Sequence, residues 1–153
     1  TEEEYCLLAA NSGYGFIAKI SELQTKNKSG KAALNTKGAI PLGPEKFSSL
    51  DDSYIASITE EGKMLLIDSK DLPILAKGKG NKIISIDKKK FEAKENRLIF
   101  IKTLQKENDL KIFSGKQSYT IKAKDLENFV GTRGRKGNFL PKGYRKVDKI
   151  EII

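Results

Sequence analysis

The sequence predicts an all-β protein, a propeller-like fragment of about three antiparallel four-stranded blades. Three observations predict it. The apolar segments are short, rich in β-branched or aromatic residues, and separated by glycine or polar clusters. Apolar positions nowhere sustain a 3.6-residue period, so only "FEAKEN" (91–96) or a turn near Asp125 has helical character. The order of the segments recurs at a spacing of roughly 50 residues, the signature of a repeated supersecondary unit.

The first unit opens with the hairpin "YCLLAANSGYGFIAKISEL" (5–23), turned at Gly13. It matches "YIASITEEGKMLLIDSKDL" (54–72), turned at Gly62, and more loosely "LKIFSGKQSYTIKAKDL" (110–126), turned at Gly115. Each hairpin closes on an acidic residue followed by leucine: Glu22-Leu23, Asp71-Leu72 and Asp125-Leu126. A basic glycine loop comes next: "NKSGKAAL" (27–34), "AKGKGNKI" (76–83) and "GTRGRKGNF" (131–139). "KIISI" (82–86) reads as a further strand, and "RLIFIKTL" (97–104) and "VDKIEII" (147–153) supply the fourth strands of the last two units. Residues 40–53 match least, and no fourth strand is placed there. The unit limits are 1–53, 54–109 and 110–153. Three blades are fewer than the usual 4–8 of a closed propeller, so the ring is open or further blades lie outside this chain.

Composition narrows the function. Among 153 residues, 29 Lys and Arg face 20 Asp and Glu, a net charge of +9 that favours a polyanionic partner. Cys6 is the single cysteine, which excludes an internal disulfide and a cysteine metal cluster. Histidine is absent, which removes His general bases, Ser–His–Asp triads and most transition-metal sites. These features suit a reducing cytoplasm. No apolar run approaches the roughly 18–20 residues that span a bilayer. The acidic start "TEEEY" is unlike a secretory signal, and the missing initial Met points to a domain excised from a longer protein.

The glycine loops carry the binding chemistry. A loop that approaches a phosphate backbone needs glycine for close approach, free N–H groups, and Lys or Arg to neutralise charge. The predicted phosphate contacts are Lys28 and Lys31 in the first loop, Lys77, Lys79 and Lys82 in the second, and Arg133, Arg135 and Lys136 in the third. One such loop is ordinarily a solvated turn; three in register on a basic chain read as one track around a rim. A nucleotide loop does not fit. "KGKGNK" lacks the G-x-x-x-x-G-K-[ST] spacing and any following helix. No recognition helix, zinc finger or RNA-stacking signature appears, so duplex binding is expected to show little sequence preference. Tyr14, Phe16, Phe100, Phe113 and Phe139 fall inside strands and read as core.

No catalytic constellation is evident. Asp51-Asp52 point to opposite faces if extended and lack a third ligand, so they read as a turn. Tyr5, Tyr14, Tyr54, Tyr119 and Tyr144 have no activating partner, and Ser29 lacks a Ser-x-x-Lys pattern.

"LLAANSGYGFIAKISEL", "DLPILAKGKGNKIISI" and "TRGRKGNFLPKGYRKVDKIEI" resemble, in order and over nearly the whole chain, the C-terminal domain of bacterial topoisomerase IV A subunits. The resemblance to the related gyrase domain is weaker, and the gyrase signature Q-R-R-G-G-K-G is absent, so full chiral wrapping is not expected. The resemblance implies a β-pinwheel whose blades exchange strands and whose outer edge binds and bends DNA. It implies a non-catalytic module of a type IIA topoisomerase that helps select DNA topology for decatenation and supercoil relaxation during chromosome segregation. No cofactor is expected in this fragment; ATP and Mg would be bound elsewhere in the parent enzyme. The implied partners are double-stranded DNA, the topoisomerase IV B subunit, the rest of the A subunit and a condensin-like chromosome protein. The implied location is cytoplasmic and chromosome-associated, extending to the inner face of the cell membrane. Two alternatives stand beside it: a protein-interaction platform of the same propeller class without direct DNA binding, and a gyrase A C-terminal domain.

Overall fold

Glycine-turned runs of β-branched residues form three antiparallel hairpins in a computed structural model of the chain, which describes residues 3–22 and 35–153. They are β1 (Tyr5–Ala10) with β2 (Tyr14–Lys19), β4 (Ser53–Thr59) with β5 (Lys63–Asp68), and β8 (Leu110–Ser114) with β9 (Gln117–Ile121). A later strand flanks the first strand of each hairpin. β3 (Pro41–Lys46) pairs with β1, β7 (Leu98–Gln105) with β4, and β11 (Lys149–Ile152) with β8. The fourth-strand segments of the last two units therefore form where the sequence places them. β3 forms where none was placed. Its sequence "PLGPEK" carries little strand propensity, and it lies at a sheet edge, where proline is tolerated.

The outer strands come from the neighbouring repeat. β6 (Asn81–Lys82) leaves the second basic loop and pairs with β2, Tyr14 opposite Lys82 and Gly15 opposite Asn81. β10 (Asn138–Phe139) leaves the third loop and pairs with β5, Lys63 opposite Phe139 and Met64 opposite Asn138. The sheet orders are β3-β1-β2-β6, β10-β5-β4-β7 and β11-β8-β9. The third sheet has three strands rather than four, because no described strand pairs with the outer edge of β9. "KIISI" is not a full strand: after Lys82 the chain leaves the ladder, and Ile83 and Ile84 turn into the core, both fully buried.

Two apolar layers hold the three sheets together. Leu7 and Ile17 of the first sheet meet Ile55 and Ile67 of the second, with Ile83, Ile84 and Leu98 filling between. Ile58 and Leu66 meet Leu110, Ile112, Leu126 and Leu140 in the other layer. Strands β2 and β5 each bury four consecutive residues, because both of their faces are covered; hence their unbroken apolar runs. The acidic-Leu pairs end the hairpins by turning leucine inward: Leu72 and Leu126 are buried while Asp71 and Asp125 are exposed. Full burial of a leucine side chain contributes on the order of 1.5–3 kcal/mol. Leu23 lies outside the described residues. The two helical sites read from the sequence are short, α1 (Lys88–Glu92) and α2 (Ala123–Leu126).

Asp68 ties β5 to β7 and yields a pH prediction. Its carboxylate accepts from Lys70 N–H (2.9 Å), capping the 3-10 turn Ser69–Asp71, and from Lys106 Nζ (2.8 Å). The Lys106 hydrogen bond, then the Lys70 N–H, hold this carboxyl below its usual range. A carboxyl depressed by folding stabilises the protein above its unfolded pKa of about 3.9, and that stabilisation disappears as pH falls through the folded value. Asp68→Asn is therefore expected to lose about 0.5–2 kcal/mol at pH 7, from the cap and the pair together. Urea melts should show the two proteins converging as the pH is lowered below the carboxylate range. A gap of constant size down to that pH would show that the charge of Asp68 contributes nothing.

Candidate nucleic-acid interface

The second basic loop lies along the first sheet, and paired backbone bonds hold it there. Ile17 N–H donates to Pro73 O (2.9 Å) and Leu75 N–H to Ile17 O (2.8 Å) before the loop; Ile83 N–H donates to Gly13 O (2.7 Å) after it. At Gly80 the backbone takes φ +82° and presses on β2, so that a Cβ there would overlap the carbonyl of Gly15. The third loop repeats this on the second sheet. Gly131 N–H donates to Leu66 O (3.0 Å) and Leu140 N–H to Gly62 O (2.8 Å). Gly137, at φ +81°, is the counterpart of Gly80 and sits against the carbonyl of Met64. The glycines predicted for approach to a phosphate thus serve first for approach to the preceding sheet.

The two loops are also joined to each other. Gly134 N–H donates to Ile83 O (2.9 Å), Ser85 N–H donates to Arg135 O (2.9 Å), and Arg133 Nη1 donates to Lys82 O (2.9 Å). Six of the predicted contacts, Lys77, Lys79, Lys82, Arg133, Arg135 and Lys136, therefore lie on one connected surface. Lys77, Arg135 and Lys136 are exposed, and Lys79, Lys82 and Arg133 are half-buried. Arg133 spends one donor on the Lys82 carbonyl, so it positions the neighbouring loop as well as carrying charge. Lys28 and Lys31 lie outside the described residues. Asn35, just past that first loop, donates its N–H to Gly78 O (2.7 Å).

None of these six cations has a carboxylate partner among the described residues. The ion pairs there use Lys46, Lys70, Lys90, Arg97, Lys102, Lys106, Lys122 and Lys149 instead. Asp87 is the acid whose charge feels the third loop. Its carboxyl is held below the usual range first by the hydrogen bond from Lys90 N–H (3.1 Å), with a weaker pull from Lys136.

The aromatic residues divide, which corrects the reading of all five as core. Phe16 is fully buried, and Phe100 is half-buried against the second apolar layer. Phe139 is 48% exposed, with Lys63 Nζ 4.9 Å and the Arg145 guanidinium 4.5 Å from its ring centre. Half-buried Tyr14 carries Lys79 at 3.9 Å and Lys82 at 6.0 Å. Phe113 carries Lys111 at 5.1 Å and Lys149 at 5.4 Å. Lys63 and Arg145 were missed from sequence. Aligning "GNK" (80–82) with "GNF" (137–139) and "GYG" (13–15) with "GKM" (62–64) would have found the exchange of lysine and aromatic at matched positions.

Asp51 and Asp52 occupy a turn, Asp52 at φ +50°, and no group of three acidic, cysteine or histidine side chains that could hold a metal occurs among the described residues. No helix there is long and apolar enough to cross a membrane.

Stacked antiparallel sheets that take their outer strands from the next repeat define a β-pinwheel, the class of the C-terminal domains of type IIA topoisomerase A subunits. The chain is homologous along its whole length to the A subunit of DNA topoisomerase IV, within the C-terminal region. It is 39% identical over 147 residues to the DNA topoisomerase 4 A subunit of Pseudomonas aeruginosa, a match covering 95% of this chain and 20% of that protein. The C-terminal domain of Escherichia coli ParC superimposes with a TM-score of 0.87 at 31% identity, over 100% of this chain and 62% of that one. A DNA gyrase A C-terminal domain shares the fold, with a TM-score of 0.75 at 12% identity over 100% of this chain and 50% of that one. The chain thus spans about a fifth of the curated relative it matches. No family model matches it.

Proposed function

We propose that this chain is a DNA-binding and DNA-bending segment of a topoisomerase IV A subunit, contacting duplex phosphates along the rim built by the basic glycine loops. The observation that carries the reading is the joined pair of loops, whose six cations are free of carboxylates among the described residues. Bending a duplex by 40–90° costs on the order of 1–6 kcal/mol, which a row of charge-assisted phosphate contacts offsets. In the parent enzyme the segment would help select DNA topology for decatenation and supercoil relaxation. Strand cleavage, ATP and Mg would be supplied by the rest of the A subunit and by the B subunit. A cytoplasmic, chromosome-associated location and contact with a condensin-like protein belong to the same reading.

The test is duplex binding measured against salt. Six phosphate contacts give a slope of log K against log salt of about −5, hence about a thousandfold loss between 50 and 200 mM. The alternative, a protein-interaction platform, predicts no duplex binding even at 50 mM. A flat salt dependence would remove the rim as the contact surface.

A further inference from the structure

The rim cations rest on aromatic faces where the paired cations elsewhere rest on carboxylates. In the first sheet Tyr14 on β2 stands opposite Lys82 on β6; in the second, Lys63 on β5 stands opposite Phe139 on β10. The two positions are equivalent, so the cation and the ring have exchanged strands while the pair has been kept. Each ring holds a second cation from outside the ladder, Lys79 on Tyr14 and Arg145 on Phe139. Arg145 is anchored by its Nε on Leu140 O (2.8 Å), which leaves its terminal nitrogens to point elsewhere. Phe139 is nearly half exposed, so apolar burial does not account for its place.

A carboxylate fixes a cation but cancels its charge toward a third party. A ring face also fixes it, through the quadrupole, and leaves the full positive charge available. Fixing a free lysine or arginine costs rotamer entropy that binding would otherwise have to supply. We propose that Tyr14 and Phe139 are positioning residues of a phosphate-binding rim, and that Lys63 and Arg145 are further contacts for nucleic-acid phosphates. This rests on the DNA-binding reading above.

The experiment has an arm in the free protein and an arm with duplex. In the free chain, the ring current of Tyr14 should move the ε-methylene protons of Lys79 upfield in the NMR spectrum. Tyr14→Phe should keep that shift and Tyr14→Leu abolish it. With a labelled mixed-sequence duplex, Phe139→Leu and Tyr14→Leu should each weaken binding about three- to tenfold with the salt slope unchanged. Phe139→Tyr and Tyr14→Phe should bind as wild type, whereas Lys63→Ala should lower the slope by about 0.9. Phe139→Leu, at an exposed site, carries the test should Tyr14→Leu melt early. An unshifted Lys79 overturns the proposal whatever the protein binds. Wild-type affinity in both leucine variants overturns it while leaving the DNA-binding reading intact. A wild-type chain that fails to bind duplex overturns both.

Discussion

Reversing Lys77, Lys79 and Lys82 to glutamate is expected to weaken duplex binding by two orders of magnitude or more at 0.1 M salt. Removing one lysine–phosphate pair takes about 0.9 off the salt slope, which is about 0.9 of a decade in affinity at 0.1 M relative to 1 M. Three such pairs give roughly 2.7 decades, and the introduced carboxylates add repulsion. The slope itself should fall from about −5 to between −2 and −3. Stability should change little, because these lysines have no carboxylate partner to lose among the described residues. The control is reversal of Lys37, Lys94 and Lys124, which are exposed, lie outside the loops and change the net charge equally. If both triple variants lose affinity to the same extent, net charge is what attracts the duplex, and the loops hold no privileged position.

Gly80→Ala should give the largest change in stability from a single methyl group. The residue sits at φ +82°, where an L side chain is strained by about 1–2 kcal/mol, and the new Cβ would overlap the Gly15 carbonyl. That obstacle is backbone of a buried strand, so β6 must move off β2 for it to be relieved. The combined cost is on the order of 3 kcal/mol, equivalent to about 6–12 °C in Tm for a chain of this size. Displacing β6 also displaces Lys79 and Lys82, so duplex affinity should fall with the melting temperature. Gly78→Ala is the comparison: φ is +127°, but no other atom lies within 4 Å of the added Cβ, so strain remains without a collision. Calorimetric melts of the two variants would separate these terms. A Gly80→Ala protein melting within about 2 °C of the wild type, well under that range, would mean that β6 is not held against β2 as described.

Much of the fold is legible because the hairpins are local. In each, a glycine turn lies between two apolar runs, and the runs in β2 and β5 are continuous because sheets cover both faces. What hides in the sequence is non-local. β3 could not be placed because "PLGPEK" has no strand signature of its own; the edge of β1 pairs it. "KIISI" looks like one strand, yet two of its isoleucines serve as wedges between sheets, a distinction that short apolar runs do not encode. Phe139 looks like core by residue type, and its exposure follows from lying on a donated edge strand only two residues long.

The candidate rim divides in the same way. The basic glycine loops and their repeat can be read directly, because charge and glycine are local properties of the chain. Whether three loops form one surface is not a local property. The second and third loops are far apart in the chain, and the bonds from Gly134 to Ile83 and from Arg133 to Lys82 join them only once each loop has crossed to the preceding sheet.

Sequence alone therefore determines the repeat, the all-β class, the excess of positive charge and the loops that carry it. Each follows from residue type and spacing over a few tens of positions. Tertiary structure alone decides that a loop belongs to the sheet before it, that its glycines serve a backbone crossing, and that aromatic rings hold its cations. Those outcomes depend on which edge of which strand is left unpaired, and that is settled by the stacking of the sheets.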